Sequence, residues 1–404
     1  MFFYSYLNLC MVIIFNPKKN LCFYVVKIIK QILHYVKTNI FKSMKRLYHK
    51  DTFHIKYIHI LYLCKMVFDD SLIFIVGNSR SGTTLLMRVL EHHQNVFVFN
   101  ELHFFEELWS PDDKNKKLSV SEAVELYSKL LLTQRIGYKT HDQNYHQFDA
   151  ESEEVIKLLP QDKLTGEFVF TEMLKREAAL HHKTIICEKT PQNVFYLKEI
   201  LEIYPNARII NMVRDPRAIM LSQKNKWNRR KLGSDYMTEK EALRLRINYH
   251  PITISKLWNA AITAARKMET DSRIITVRFE DLLDQPETII RKVCKHLGIA
   301  YHENMLQIKQ VSSSNEADSK DIGFKKERAS NWKKGGLNKA EICWNEKICG
   351  DNMLHYGYTL DKPDTGVFQI AAYFISFPFK LILALFFNLD RMKNIAETLK
   401  RRLK

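Results

Sequence analysis

The densest cluster of chemically capable residues lies between Ser71 and Glu91. Ser71-Leu72-Ile73-Phe74-Ile75-Val76 is an unbroken apolar run ending on a glycine, the pattern of a strand buried on both faces. The loop Gly77-Asn78-Ser79-Arg80-Ser81-Gly82-Thr83-Thr84 follows, and the chain then continues to Glu91 with helical spacing. In a strand–loop–helix unit of this kind the loop amides converge on an anion, and the helix N-terminus adds the positive end of its dipole. The chain has only 12 glycines, so two in one short loop carry weight. The nearest familiar pattern is G-x-x-x-x-G-K-S/T, but Thr83 stands where the lysine belongs. Nucleoside-triphosphate enzymes rely on that lysine at the β- and γ-phosphates, which argues against an ATPase or kinase. The loop offers instead a cation, Arg80, and hydroxyls at Ser79, Ser81, Thr83 and Thr84.

A second anion site is written further on. Val213-Arg214-Asp215-Pro216-Arg217 follows the apolar run 208–213 and opens a helix that reaches Ser222, eight residues after Arg214. That spacing aims a guanidinium and a hydroxyl at one point, as a terminal phosphate requires. Together, the Gly-x-x-Arg-Ser-Gly-Thr-Thr-Leu loop and this Arg…Ser pair resemble the donor site of the sulfotransferases that use PAPS (3′-phosphoadenosine 5′-phosphosulfate), nearest the tyrosylprotein sulfotransferase-like branch. The resemblance spans about residues 71–335. It implies that Asn78, Ser79, Arg80, Ser81, Gly82, Thr83 and Thr84 hold the 5′-phosphosulfate, with Arg214 and Ser222 on the 3′-phosphate. A phosphosulfate has no triphosphate to bridge, so no metal is expected.

The same resemblance implies catalytic groups. Glu101, 21 residues after Arg80, falls where the branch places its catalytic glutamate, and it is the expected base. His103 is the rival base, and His141 in Lys139-Thr140-His141 is a weaker one. Lys189, in Cys187-Glu188-Lys189-Thr190-Pro191, is expected to neutralise the leaving oxygen together with Arg80. Arg278, in Arg278-Phe279-Glu280-Asp281-Leu282, matches a segment beside the nucleotide, although a structural ion pair suits it equally. Lys325 to Gly336, including Arg328, Ser330, Trp332 and Lys333, resembles a late basic loop closing over the 3′-phosphate. Here Asn331 stands where the tyrosylprotein pattern has lysine, and Lys333 follows the tryptophan instead.

Strand candidates at 71–76, 183–187, 208–213 and 273–279 alternate with helical stretches at 193–204, 217–227, 252–268 and 287–297. This alternation predicts an α/β fold of the P-loop type: three layers, with a central parallel sheet between helices. Residues 108–183 read as a mostly helical insertion bearing Tyr138, His141, Tyr145 and His146, candidates for an acceptor cleft. The acceptor is expected to carry a hydroxyl on a carbohydrate, a lipid or a tyrosine. The other readings are a P-loop kinase or nucleotide-binding protein, and an inactive, membrane-associated relative.

Charge divides the chain into three parts. The net charge of +17 comes from the flanks: 1–65 hold 11 Lys+Arg against one acid, and 362–404 hold 8 against 3. The body, 66–361, has 43 basic and 41 acidic residues, which disfavours a nucleic-acid partner. Residues 1–65 form a basic, apolar extension whose run Leu7–Phe15 is short for a membrane span. Whether that extension belongs to the fold is open. Phe368 to Leu389 is almost wholly apolar but is broken by Pro378 and Lys380, and a basic tail follows. Segment 368–404 is therefore expected to dock on a membrane surface, with internal packing or a true span as alternatives. Seven cysteines without C-x-x-C spacing and the lack of N-x-S/T sequons point to a reducing, cytoplasmic setting, peripheral on a membrane, rather than a Golgi-type lumen.

Overall fold

The apolar run ending at Gly77 becomes the central strand. The computed structural model describes residues 72–137, 144–230, 238–309 and 322–388, all within one unit, Val67–Lys404. The strands are β1 (Leu72–Gly77), β2 (Val96–Val98), β3 (Ile185–Lys189), β4 (Arg208–Val213) and β5 (Ile274–Arg278). They form a single sheet in the order β2-β3-β1-β4-β5, with every pairing parallel.

Helices fill the crossovers. α1 (Thr83–Glu91) links β1 to β2. α2 (Val120–Arg135), α3 (Asp149–Leu158) and α4 (Gly166–Leu180) occupy the interval before β3, and α5 (Leu197–Ile203) precedes β4. Between β4 and β5 lie α6 (Pro216–Lys224), α7 (Glu239–Asn248) and α8 (Pro251–Arg266). After β5 come α9 (Phe279–Asp284), α10 (Pro286–Leu297), α11 (Lys339–His355) and α12 (Val367–Phe386).

The two faces of β1 explain its sequence. Ile73 and Ile75 pack with Leu86, Val89 and Leu90 of α1 and with Ile290 and Val293 of α10. Phe74, on the alternate face, meets the rings of Phe105 and Tyr204 at 6.4 and 6.0 Å. A strand covered on both sides must be apolar throughout, and β1 is buried along its whole length. The expected architecture is therefore the observed one.

Three local differences matter. β3 starts two residues later than its apolar pattern suggests, because Lys183 turns aside to donate to the carbonyls of His93 and Gln94. The strand consequently carries Glu188 and Lys189 inside it. The helix expected over 193–204 is a 3-10 turn, Pro191–Tyr196, followed by α5. α11 is absent from the sequence reading because buried polar residues, Glu341, Asn345, Glu346 and Asn352, interrupt its apolar period.

Candidate functional site

In an open parallel sheet, ligands bind outside the carboxyl ends of the strands, where the strand order changes direction. Several of the groups singled out from the sequence, Arg80, Thr83, Thr84, Glu101, Arg214 and Ser222, line one cleft at that edge. The loop after β1 is shaped by two glycines. A Cβ at Gly77 would come within 2.4 Å of the Met212 carbonyl, and one at Gly82 within 2.3 Å of the Phe279 ring; both have positive φ. Arg80 also takes a left-handed backbone, with φ 74, which is strained for a residue with a side chain. α1 then begins at Thr83, so its free amides face the loop.

Arg80 joins the two anion sites. Its Nε donates to Ser222 Oγ at 3.0 Å. Arg214 Nη1 donates to the Arg80 carbonyl at 3.2 Å, and Nη2 donates to the Arg328 carbonyl at 2.8 Å. The Arg214 guanidinium lies 4.3 Å from the Phe279 ring centroid. Its main-chain oxygen is held by Trp258 Nε1 at 3.0 Å, and the Asp215 carboxylate caps α6 by accepting the Arg217 N–H. A single cleft is lined by Ser79, Arg80, Gly82, Thr83, Thr84 and Glu101 on one side, and by Arg214, Ser222, Arg328 and Trp332 on the other. Ser81 Oγ and Arg214 Nε are buried without a hydrogen-bond partner. Ser81 is fully buried and is not part of the cleft lining, whereas Arg214 lines it, and its unsatisfied N–H beside a cationic, amide-rich loop fits an anionic ligand.

Glu101 reaches this cleft from the segment after β2. Lys189 Nζ donates to Glu101 Oε1 at 2.6 Å, and His103 Nε2 lies 3.7 Å from Glu101 Oε2. Burial alone would raise the Glu101 carboxyl, but the His103 hydrogen bond and the Lys189 charge outweigh it and hold the group down at about 2. His103 is itself fixed: its Nδ1 faces Glu106 Oε2 at 3.1 Å. The rival base is thus buried behind Glu101, which alone of the two lines the cleft. His103, Glu106 and Glu107 bring their ligand atoms within 4.8 Å of one another, a cation-compatible group.

Behind Lys189 lies a group the sequence reading missed. Glu188 is fully buried, accepting from the Thr190 hydroxyl, from Asn193 Nδ2 at 2.7 Å and from the Leu102 N–H. Burial pushes its carboxyl up to about 7. Thr190 also accepts the His103 N–H at 3.4 Å, so this buried acid ties the end of β3 to the Glu101 segment. The available signal was an acid inside an apolar strand with a threonine two residues on and an asparagine five on.

Other sequence candidates fall elsewhere. Arg278 pairs with Asp281 at 3.6 Å and stacks 4.7 Å from the Tyr358 ring, outside the cleft lining; the adjacent Phe279 lines it instead. Lys333 sits beside the Trp332 ring, and the late loop supplies Lys325, Arg328, Asn331 and Trp332 to the wall. Asn78 lines a smaller neighbouring recess with Gln192 and Phe195. Tyr145 and His146 are bonded to Glu125 and Asp149 on the α2–α3 surface, away from the cleft. Tyr138 and His141 lie outside the described residues.

Comparison with known proteins bears on the family of the chain. A family model described as the sulfotransferase family matches residues 72–303. The chain is 25% identical over 316 residues to a putative protein-tyrosine sulfotransferase of Caenorhabditis briggsae, covering 74% of this chain and 94% of that protein. It is also 25% identical over 294 residues to an omega-hydroxy-beta-dihydromenaquinone-9 sulfotransferase of Mycobacterium bovis, covering 64% and 70%. Among solved structures, the sulfotransferase domain from the curacin biosynthetic pathway aligns over 72% of this chain and 98% of its own, at 20% identity and a TM-score of 0.44.

Proposed function

Because the chain belongs to the sulfotransferase family, we propose that it transfers a sulfuryl group from PAPS to a hydroxyl acceptor, with Glu101 as the base. The observation that carries this reading is the meeting of Arg80, Arg214 and Ser222 in the cleft that Glu101 lines. A donor with a 3′-phosphate and a 5′-phosphosulfate presents two anionic ends, and the two cationic clusters match them. The absent Walker lysine disfavours a triphosphate.

The residues divide the work of an in-line displacement. Amides and hydroxyls of the loop 78–84 hold the phosphosulfate, while Arg214 and Ser222 hold the 3′-phosphate. Phe279 and Trp332 offer ring faces within the same cleft. Glu101, ionised at any neutral pH, takes the proton of the acceptor hydroxyl as the new O–S bond forms. The bond from sulfur to the bridging oxygen breaks, and the negative charge left on that oxygen is met by Lys189 Nζ and by Arg80. Lys189 Nζ donates to Glu101, so the cation that serves the leaving oxygen stands next to the base. His103, clamped by Glu106, sets the orientation of Glu101. The 3′,5′-ADP, the sulfate ester and the proton taken by Glu101 account for all atoms and charge, and the chemistry calls for no metal.

Calorimetry on the full chain tests the donor. The reading requires 3′,5′-ADP to bind about 100-fold more tightly than 5′-AMP, the worth of roughly two charge-assisted contacts. ATP binding as tightly as 3′,5′-ADP would overturn it.

A further inference from the structure

α12 has two apolar faces, and among the described residues only one of them has a partner. The inner face is defined by Ile370, Tyr373, Phe377, Ala384 and Asn388, which recur at helical spacing. Trp344 Nε1 donates to the Ile370 carbonyl at 3.1 Å, and Asn338 Nδ2 donates to the Tyr373 hydroxyl at 2.8 Å. His250 meets the Tyr373 ring edge-on and the Phe377 ring at a tilt, at 5.8 and 5.4 Å between centroids. Asn388 exchanges side-chain hydrogen bonds with Asn248, at 2.8 and 3.3 Å. The helix is therefore fastened along its length to α7, α8 and α11.

The opposite face is bare. Phe368, Ile375, Phe379, Ile382 and Phe386 follow one another at the spacing of a single helical stripe. They are between 65% and 92% exposed, and Phe374 and Leu383 broaden the stripe. The helix has a mean hydropathy of 1.7, and none of its residues is buried. Stripes of large apolar side chains on this scale mark an interaction surface rather than ordinary exposure.

We propose that this outer face lies in the headgroup–acyl boundary of a bilayer rich in anionic lipid, as a monotopic helix parallel to the membrane plane. Two observations choose this occupant. The helix cannot cross the bilayer while its inner face stays bonded to Asn248, His250 and Asn338, since crossing would strip those polar partners or drag them into hydrocarbon. And the segment that follows, 390–404, carries six basic residues against two acidic ones. A basic stretch continuing from an apolar face combines the two attractions by which interfacial helices hold an anionic leaflet. The polar anchoring of one face and the apolar exposure of the other thus exclude a span and leave a surface-bound helix.

The test uses the full chain and sedimentation with two kinds of vesicle, pure phosphatidylcholine and phosphatidylcholine with about one third phosphatidylserine, near 0.1 M salt. The expected result is partition into the anionic vesicles at least ~10-fold above the neutral ones. The triple substitution Ile375→Glu, Phe379→Glu, Ile382→Glu changes only exposed positions, and should cut partition by at least ~10-fold with melting temperature and 3′,5′-ADP binding unchanged. Three results would overturn the proposal: no partition of the wild type, undiminished partition of the triple variant, or equal partition into both lipids. A dimer in light scattering that the triple variant abolishes, without vesicle binding, would assign the face to a second copy of the chain instead. The readout is independent of catalysis, so its failure leaves the donor reading untouched.

Discussion

Glu188→Gln should make the protein gain stability relative to the wild type as pH rises. The reason lies in where the carboxyl sits: it is 1% exposed, and burial raises it to about 7 from an ordinary 4.5. The unfolded chain loses this proton through 4.5, and the folded chain keeps it until about 7. Between those values the folded state binds more protons, so each increment of pH draws the wild type towards unfolding. The loss is complete once pH has passed the folded value. Working the linkage from pH 5 to pH 8 gives roughly 2 to 3 kcal/mol, on the order of 3 to 4 °C in melting temperature for a unit of this size. Glutamine keeps the shape and removes the titration. Its amide N–H must face an acceptor, and Asn193 can provide one by turning over, because its Oδ1 is now buried without a partner. Thermal melts of both proteins at half-unit steps, plotted as a difference, cancel the other titrating groups. The difference should climb in the variant's favour across the window. A flat difference, or one of the opposite sign, would refute the view that this acid is held in the fold against its own solvation.

The remaining predictions concern the site. Arg214→Ala should weaken 3′,5′-ADP binding roughly 10- to 100-fold while leaving 5′-AMP affinity nearly unchanged, measured by calorimetry; equal losses for both ligands would remove Arg214 from the 3′-phosphate. Lys189→Ala should lower kcat about 10²- to 10³-fold with a smaller change in KM for PAPS, since the lysine acts on charge that develops during transfer. A change confined to KM would make it a binding residue. Dialysis against EDTA should leave turnover intact; a loss restored by a divalent ion would assign His103, Glu106 and Glu107 to a metal.

The residues proposed to hold the donor were legible in the sequence because phosphate binding constrains contiguous chain. An apolar strand, a tight loop and a helix start must follow in order, and the loop 77–84 and the Arg214–Ser222 interval both show it. Glu101 was legible only by its distance from Arg80, and the structure gives that offset its meaning by bringing the carboxylate to Lys189 and the cleft. Glu188 was missed although Thr190 and Asn193 follow it at two and five residues, since that pattern alone does not show that Leu102, from another segment, completes its burial. The late loop was recognisable as a segment but not by residue. Its 3-10 turns send the Arg328 carbonyl to Arg214 and lay Lys333 along Trp332. Arg278 shows the same limit: position along a strand does not reveal that Tyr358, 80 residues later, will cover the side chain. For α12, Pro378 and Lys380 argued against a span, but only the bonds to Asn248, Asn338 and Trp344 show which face is held.

Glu101 is proposed to deprotonate an acceptor while PAPS occupies the cleft. The most direct measurement is release of 3′,5′-ADP from PAPS, coupled to formation of a sulfated product, across a panel of phenols, sugars and long-chain alcohols. It should be run on the wild type and on Glu101→Gln. Wild-type turnover is expected with one ester formed per 3′,5′-ADP released, and a loss of about 10²- to 10⁴-fold in the variant while its 3′,5′-ADP affinity is retained. Equal turnover by the two proteins, or transfer of phosphate from ATP in place of sulfate from PAPS, would contradict that proposal.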